Sequence, residues 1–332
     1  MGQGSQLLIF ARVQAGVRGS PIVRGWLALL VVYVVWGSTF TGIQVAVRAM
    51  PPLLMAGTRY LLAGAVLYAV VGRSGGWRWR RPSWPELYSS AVVGLLLLLG
   101  ANGLLSWSEQ RVPSGLAALV IATVPLWMAV LGLAWGRSIR PGRVAWIGVL
   151  VGLAGVGVLA SPSTAGHLSP LYTAALLAAA VMWAAGSLYS RRAPLPGDIF
   201  AASALEMAFG GIGLLVAGLA SGETSRIHWG HIMGGPLAAY VWLVLGGSLL
   251  GYTCYVYALK TLPTSTVATY AYVNPMVALL LGFFILGQGL TEGSALAAGL
   301  ITLGVVLMVS GPRLARRKER RQLAGLPGAD AS

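Results

Sequence analysis

Ten stretches of this chain are nearly free of charge and long enough to cross a bilayer, at roughly 25 to 47, 52 to 72, 86 to 108, 113 to 135, 143 to 161, 168 to 190, 198 to 219, 237 to 259, 263 to 286 and 293 to 311. A hydrocarbon core of ~30 Å is spanned by about 20 helical residues. The pattern therefore predicts an all-α integral membrane protein with ten transmembrane helices. Charged residues make up 9% and hydrophobic ones 57%, whereas a soluble domain carries ~25% charged residues. No soluble fold hides that much apolar surface. The connections are short, which leaves no room for an aqueous ATPase, kinase or DNA-binding module.

The net charge of +15 would suit a nucleic-acid partner if it were gathered on one domain. It is instead scattered among loops, so no nucleic acid is expected. Both tails and alternate loops hold Arg12, Arg18, Arg24, Arg73, Arg78, Arg80, Arg81, Arg137, Arg140, Arg143, Arg191, Arg192, Lys260 and the run Arg313 to Arg321. The opposite side holds Arg48, Arg111 and Arg226. By the positive-inside rule both termini are expected in the cytoplasm of a cell bounded by this membrane. Residues 1 to 24 contain only a short apolar run, Leu7 to Phe10, too brief for a signal-peptide core. Cys254 is the single cysteine and His167, His228 and His231 are the only histidines, so neither a disulfide nor a resident metal is expected.

The chain repeats itself. A shift of 150 positions carries Pro113 onto Pro263, Ala118 onto Ala268, Pro125 onto Pro275 and Leu131-Gly132 onto Leu281-Gly282. Near the start of each half a shift of 147 puts Trp36 on Trp183, Arg59 on Glu206 and Gly64 on Gly211. Five helices per repeat is an odd number, so the second repeat enters the membrane from the other side. Inverted repeats of this kind line a central site in secondary transporters, which expose it alternately to either face. The expected organisation is a cytoplasmic arm at 1–24, a first repeat at 25–161, a second at 168–311 and a basic cytoplasmic tail at 312–332.

Pro125 and Pro275 each fall twelve residues into a predicted helix, where proline removes an i to i−4 hydrogen bond and frees a carbonyl. At membrane depth such a carbonyl must face protein, water or solute. Thr269-Tyr-Ala-Tyr-Val-Asn-Pro275 is accordingly the leading candidate for a site wall, and packing alone is the competing explanation of both kinks. Arg59 and Glu206 lie inside predicted spans, at an insertion penalty of roughly 2.5–3.5 kcal/mol at a helix centre. Arg59 can meet an anionic solute group or a partner carboxylate, or it can snorkel and serve the fold alone. Glu206, and Glu109 at the end of the third helix, are the candidates for proton coupling, as carboxyls able to gain and lose a proton. Asn102, Trp107, Tyr252, Tyr255 and Tyr257 add amide and aromatic character suited to an organic solute. Gly148, Gly152, Gly155, Gly299 and Gly304 read as close helix packing, within one chain or across a homodimer.

At Trp36-Gly-Ser-Thr-Phe40, Gly57-Thr-Arg-Tyr-Leu-Leu-Ala-Gly64, Asn102-Gly followed by Glu109 and Val112-Pro-Ser-Gly115, and Ala268-Thr-Tyr-Ala-Tyr-Val-Asn-Pro275, the chain resembles the EamA family of the drug/metabolite transporter superfamily, and within it the YedA-type inner-membrane permeases of bacteria. The resemblance covers residues 25 to 311. It implies two EamA repeats of five helices, cytoplasmic termini, no cofactor, and export of metabolites such as amino acids or of toxic organic compounds. Where the YedA-type pattern has Glu-His-Gln, this chain has Glu109-Gln110-Arg111, so a role for that histidine is absent. The residues expected to meet the solute are Trp36, Arg59, Asn102, Trp107, Tyr255, Tyr270, Tyr272 and Asn274. No Gly-x-x-x-x-Gly-Lys-Ser/Thr loop occurs, so energy comes from a gradient or from the solute itself. The expected function is a permease exporting a small organic metabolite or drug-like compound by alternating access, as monomer or homodimer in contact with membrane lipid. A lipid or head-group flippase is the alternative, and an intramembrane enzyme acting on lipid a more distant one, since catalysis at bilayer depth needs a cluster of acids or a histidine-serine pair.

Overall fold

A computed structural model of the chain describes residues 21–73, 81–134, 143–159, 169–227, 229–262, 264–267, 269–289, 291–293 and 295–307. Residues 1–20, the basic tail, His167, His228, Pro263 and the side chain of Tyr272 lie outside the described part. The described residues are helical, in the order α1 (Pro21–Ala46), α2 (Pro52–Arg73), α3 (Trp84–Ser108), α4 (Ser114–Ile121 and Val124–Ala134), α5 (Arg143–Leu159), α6 (Pro170–Ser190), α7 (Ile199–Ala220), α8 (Gly235–Trp242 continuing to Thr261), α9 (Thr264–Val267 and Tyr270–Leu286) and α10 (Ala295–Leu307). Among the described residues seven helices are long and apolar enough to cross a membrane. The other three expected stretches carry shorter apolar helices, Trp146–Val158, Val273–Leu286 and Ala295–Leu307. Many large apolar side chains, such as Leu150, Leu171, Val216, Phe284 and Ile285, point outward, as a lipid-facing surface requires.

Packing follows the duplication. Three pairs of repeat-equivalent helices lie against each other in antiparallel fashion, and glycines set their closeness. A Cβ at Gly57 would run into Leu215, one at Gly211 into Leu61 and the Gly57 carbonyl, and one at Gly64 into Met207 and the Ala204 carbonyl, so α2 and α7 touch backbone to backbone. Gly115 of α4 meets Leu279 of α9 in the same way. Gly155 faces Ile301, while Gly304 faces Gly148 and Gly152, which joins α5 to α10. The small residues of α5 thus serve packing within the chain. The first helix of each repeat crosses over: α1 packs on α8 and α9, and α6 packs on α3 and α4.

Two local features depart from regular α-helix. Leu95–Asn102 in α3 and Leu243–Leu250 in α8 are π-helices of eight residues each, and they occupy repeat-equivalent positions. In a π-helix the hydrogen bond reaches one residue further, so the ladder is locally out of step with the turns around it, and such segments are common at functional sites. Helices α4 and α9 are broken as well, α4 at 122–123 and α9 ahead of Tyr270. At each break a threonine hydroxyl donates to the carbonyl three residues back, Thr123 to Val120 (2.6 Å) and Thr269 to Thr266. Pro125 therefore does not kink a continuous helix. It stands in the first turn of Val124–Ala134, where a missing N–H is harmless. Pro275 does lie inside its helix, Tyr270–Leu286.

Candidate solute site

The polar and aromatic residues of the interior gather where α1 crosses α8 and α9. Trp36 of α1 stands at the centre. Its ring lies 5.0 Å from that of Tyr255 in α8 and 5.2 Å, edge to face, from that of Tyr270 in α9. Tyr255 and Tyr270 are themselves edge to face at 5.7 Å, and Tyr252 joins at 6.4 Å from Tyr255. Edge-to-face pairing sets the positive rim of one ring against the negative face of the next. The three rings therefore fix one another's orientation.

The π-segment of α8 supplies the bed on which Trp36 rests. The indole Nε1 donates to the Gly247 carbonyl (3.1 Å), and a Cβ at Gly251 would press on the same indole. Gly247 and Gly251 are one turn apart, so their missing side chains make a flat strip. Gly247 also admits Arg59, because a Cβ there would sit 3.0 Å from Nη2 of Arg59 and 2.8 Å from the Thr39 methyl. Arg59, only 5% exposed, donates from Nε to Ser248 Oγ (2.9 Å), and its guanidinium carbon lies 4.8 Å above the Tyr60 ring. A second buried ionisable group, Glu109, stands at the C-terminal end of α3. Glu109 is 1% exposed, yet neither carboxylate oxygen has a hydrogen-bond partner among the described residues.

On the α9 side, Tyr33 of α1 donates its hydroxyl to Thr269 Oγ1 (2.5 Å), since the threonine's own proton is already given to Thr266. The buried Asn274 amide, oriented so that its nitrogen has acceptors, donates to the carbonyls of Tyr33 and Tyr270 (3.2 Å each). Gly37 lets α1 approach closely here, because a Cβ would meet Val277 and the Asn274 carbonyl. Glu206 of α7 borders the same region. It lies three residues beyond Ser203 on α7, and the Ser203 Oγ is hydrogen-bonded to the Tyr252 hydroxyl of α8.

Of the residues the sequence singled out, Trp36, Arg59, Tyr255, Tyr270 and Asn274 converge, with Glu206 at the margin through Tyr252. Asn102 does not join them. Its Nδ2 donates to the Leu97 carbonyl (3.0 Å) and so serves the π-segment of α3. Trp107 packs against Tyr172 at the start of α6, the ring centres 4.6 Å apart and the planes tilted by 38°. Thr269 belongs to the segment the sequence singled out as a site wall, whereas Tyr33, Gly247 and Ser248 were missed by the sequence. A pair of glycines followed by serine in an apolar run is a weak cue, and the π-helix that makes them matter has no sequence signature. Glu223 was missed too. Buried after α7, it accepts from the Leu53 and Leu54 N–H groups (3.0 Å each) at Oε2 and caps α2, as a carboxylate at a helix N-terminus does.

The family model for EamA-like transporters matches residues 23–161 and again 171–310. This chain belongs to the EamA-like transporter family. It is 38% identical over 290 residues to the uncharacterized inner membrane transporter YedA of Escherichia coli strain K12, a match covering 86% of this chain and 91% of that one. It is 30% identical to a probable amino-acid metabolite efflux pump of Salmonella typhimurium, over 88% of this chain and 96% of that protein. A crystal structure of a chain 24% identical superposes with a TM-score of 0.60, covering 90% of this chain and 98% of the other, which speaks for the fold alone. The EamA match falls once on each half of the chain, and the protein is a multi-pass membrane permease of EamA type.

Proposed function

We propose that this permease exports a small organic metabolite across a bacterial inner membrane by alternating access, with both termini in the cytoplasm. One observation carries the reading. Trp36, Arg59, Tyr255, Tyr270 and Asn274 come from both repeats and meet beside a π-helix and a broken helix, the places where an inverted-repeat transporter puts its solute site. Aromatic edges and faces suit an apolar body, and Arg59 with Asn274 suits polar groups that fix its orientation. Relatives named as an inner membrane transporter and as probable amino-acid metabolite efflux pumps support the membrane and the solute class. The positive-inside distribution supports the orientation. Glu206, beside Tyr252, is the group we assign to proton coupling, with Glu109 the other carboxyl placed to take part.

The test is flux in proteoliposomes loaded with a labelled metabolite library that includes amino acids, with and without an imposed pH gradient. Gradient-dependent efflux of at least one small organic solute is expected. If every compound stays inside while the purified protein remains folded, the reading fails. Reporter fusions near residue 75 and after Ser332 are expected to register as cytoplasmic, and one near His228 as external.

A further inference from the structure

At the end of the bundle where α1 finishes, side-chain amides tie three elements together. Gln44, buried near the end of α1, donates from Nε2 to the Val112 carbonyl (3.1 Å) and accepts at Oε1 from the Ser114 N–H (3.0 Å). Gln288, just past α9, donates from Nε2 to that same Gln44 oxygen. Its own Oε1 accepts from Ser114 Oγ (3.3 Å). The result is a closed ring through α1, the start of α4 and the exit of α9. Backbone geometry holds it in place. Gly287 adopts the left-handed conformation, with φ at 63°, so the chain doubles back and the Gln288 N–H reaches the Gly282 carbonyl (3.1 Å), as in a helix C-cap. A Cβ at Gly282 would collide with Gln288 Oε1, so only glycine leaves room for the ring.

The ring joins α1 and α4 of the first repeat to α9 of the second, and these elements have to separate for the site to open at that end. Its members are neutral groups whose hydrogen bonds water can replace one for one. The repeat-equivalent positions at the other end are Arg191, Thr264 and position 138, of which only the exposed Arg191 has a described side chain; there α1 meets α8 and α9 through the apolar Ala28, Leu29, Ala258, Leu262 and Val267. Trp36 lies eight residues below Gln44 on α1, ~12 Å along the axis. We infer that the Gln44, Ser114 and Gln288 ring is the external gate of the solute site, closed in this structure. The inference rests on the alternating-access reading and adds to it the residues that hold one face shut.

Accessibility of a single cysteine tests it without knowledge of the solute. Thr41 is buried on α1 between Trp36 and Gln44, and its hydroxyl has no hydrogen-bond partner, so Thr41→Cys is a mild reporter in a Cys254→Ser background. The probe is a membrane-impermeant maleimide, applied to right-side-out and to inside-out vesicles. In the parent chain, labelling from the external face is expected to be slow. Gln288→Ala should raise external labelling at least roughly fivefold, the factor that one neutral hydrogen bond supports, and lower internal labelling. Ser114→Ala, which removes only the bond to Gln288, should move both rates the same way by less, and it keeps the test open if Gln288→Ala fails to insert. Unchanged external labelling in both variants, or equal rises at both faces, overturns the gate.

Discussion

The region where α1 meets α8 and α9 and the region where α6 meets α3 and α4 are built on one plan and filled differently. Both have a tryptophan on the crossing helix, Trp36 and Trp183, a π-helix of eight residues beside it, and a broken helix whose threonine hydroxyl bonds the carbonyl three residues back. In the first, Trp36 faces Tyr255, Tyr270 and a hydrogen-bonded Asn274. In the second, Trp183 packs with Ile121, Val124, Trp127, Leu131, Ala180 and Ala184. The positions equivalent to Tyr270 and Asn274 are Val120 and Val124, and the equivalent of Tyr255, Trp107, is turned to Tyr172. The backbone devices recur in both regions, whereas aromatic and amide groups contributed by both repeats gather in the first. One compartment binds, on this view, and the other supplies the matching mechanical half.

The largest expected effect bears on the charge between the two halves. Arg59→Leu would leave Ser248 without its donor and strip the guanidinium from the Tyr60 ring, and loss of a hydrogen bond to a charged group costs about 1.5–3 kcal/mol. Folded protein in detergent should fall sharply and transport should vanish. Arg59→Lys, which keeps the charge but not the fork, should restore folding more than transport.

Next comes the comparison itself. Tyr270→Ala should lower transport at least roughly tenfold with membrane levels nearly unchanged, because the ring borders the site and not the closed core. Val120→Ala, at the equivalent buried position, should cost about 1–2 kcal/mol of stability for the methyl groups lost and leave transport of the folded fraction intact. Equal losses of transport in the two variants would erase the distinction between the compartments.

Glu206→Gln should abolish the response to a pH gradient while solute exchange continues, since exchange moves no net proton and glutamine cannot titrate. A full pH response in that variant would remove Glu206 from coupling. The smallest effect is expected from Trp36→Phe, which keeps an aromatic ring but loses the indole bond to Gly247. About 1 kcal/mol, or a few-fold in apparent affinity, is the expected change, read from the concentration dependence of exchange.

The sequence made part of this comparison readable. Apolar run lengths set the membrane class, and the shifts of 150 and 147 positions exposed the inverted duplication, because insertion into lipid constrains composition along the whole chain. Trp36, Arg59, Tyr270 and Asn274 stood out because aromatic, charged and amide groups are conspicuous against aliphatic residues. The break in α4 did not. Pro125 read as a mid-helix kink, whereas the chain has already been interrupted at 122–123, where Thr123 bonds the Val120 carbonyl. The π-helices were invisible for the same reason: their residues are ordinary leucines and glycines, and the extra residue in the turn is fixed by what α1 and α6 present to them. The roles of Gln44 and Gln288 depend on a contact across 244 positions, which no local pattern encodes.

The central claim is that solute is held by the α1, α8 and α9 compartment alone, and one paired measurement on the solute found in the library screen tests it most directly. Asn274→Ala and Val124→Ala are to be reconstituted at equal protein levels and compared by solute exchange at a fixed, subsaturating concentration. Exchange is predicted to fall at least roughly tenfold in Asn274→Ala, which loses the amide bonds that join α1 to α9, and to stay within about twofold of the parent in Val124→Ala. Preserved exchange in Asn274→Ala, or an equal fall in Val124→Ala, would contradict the claim.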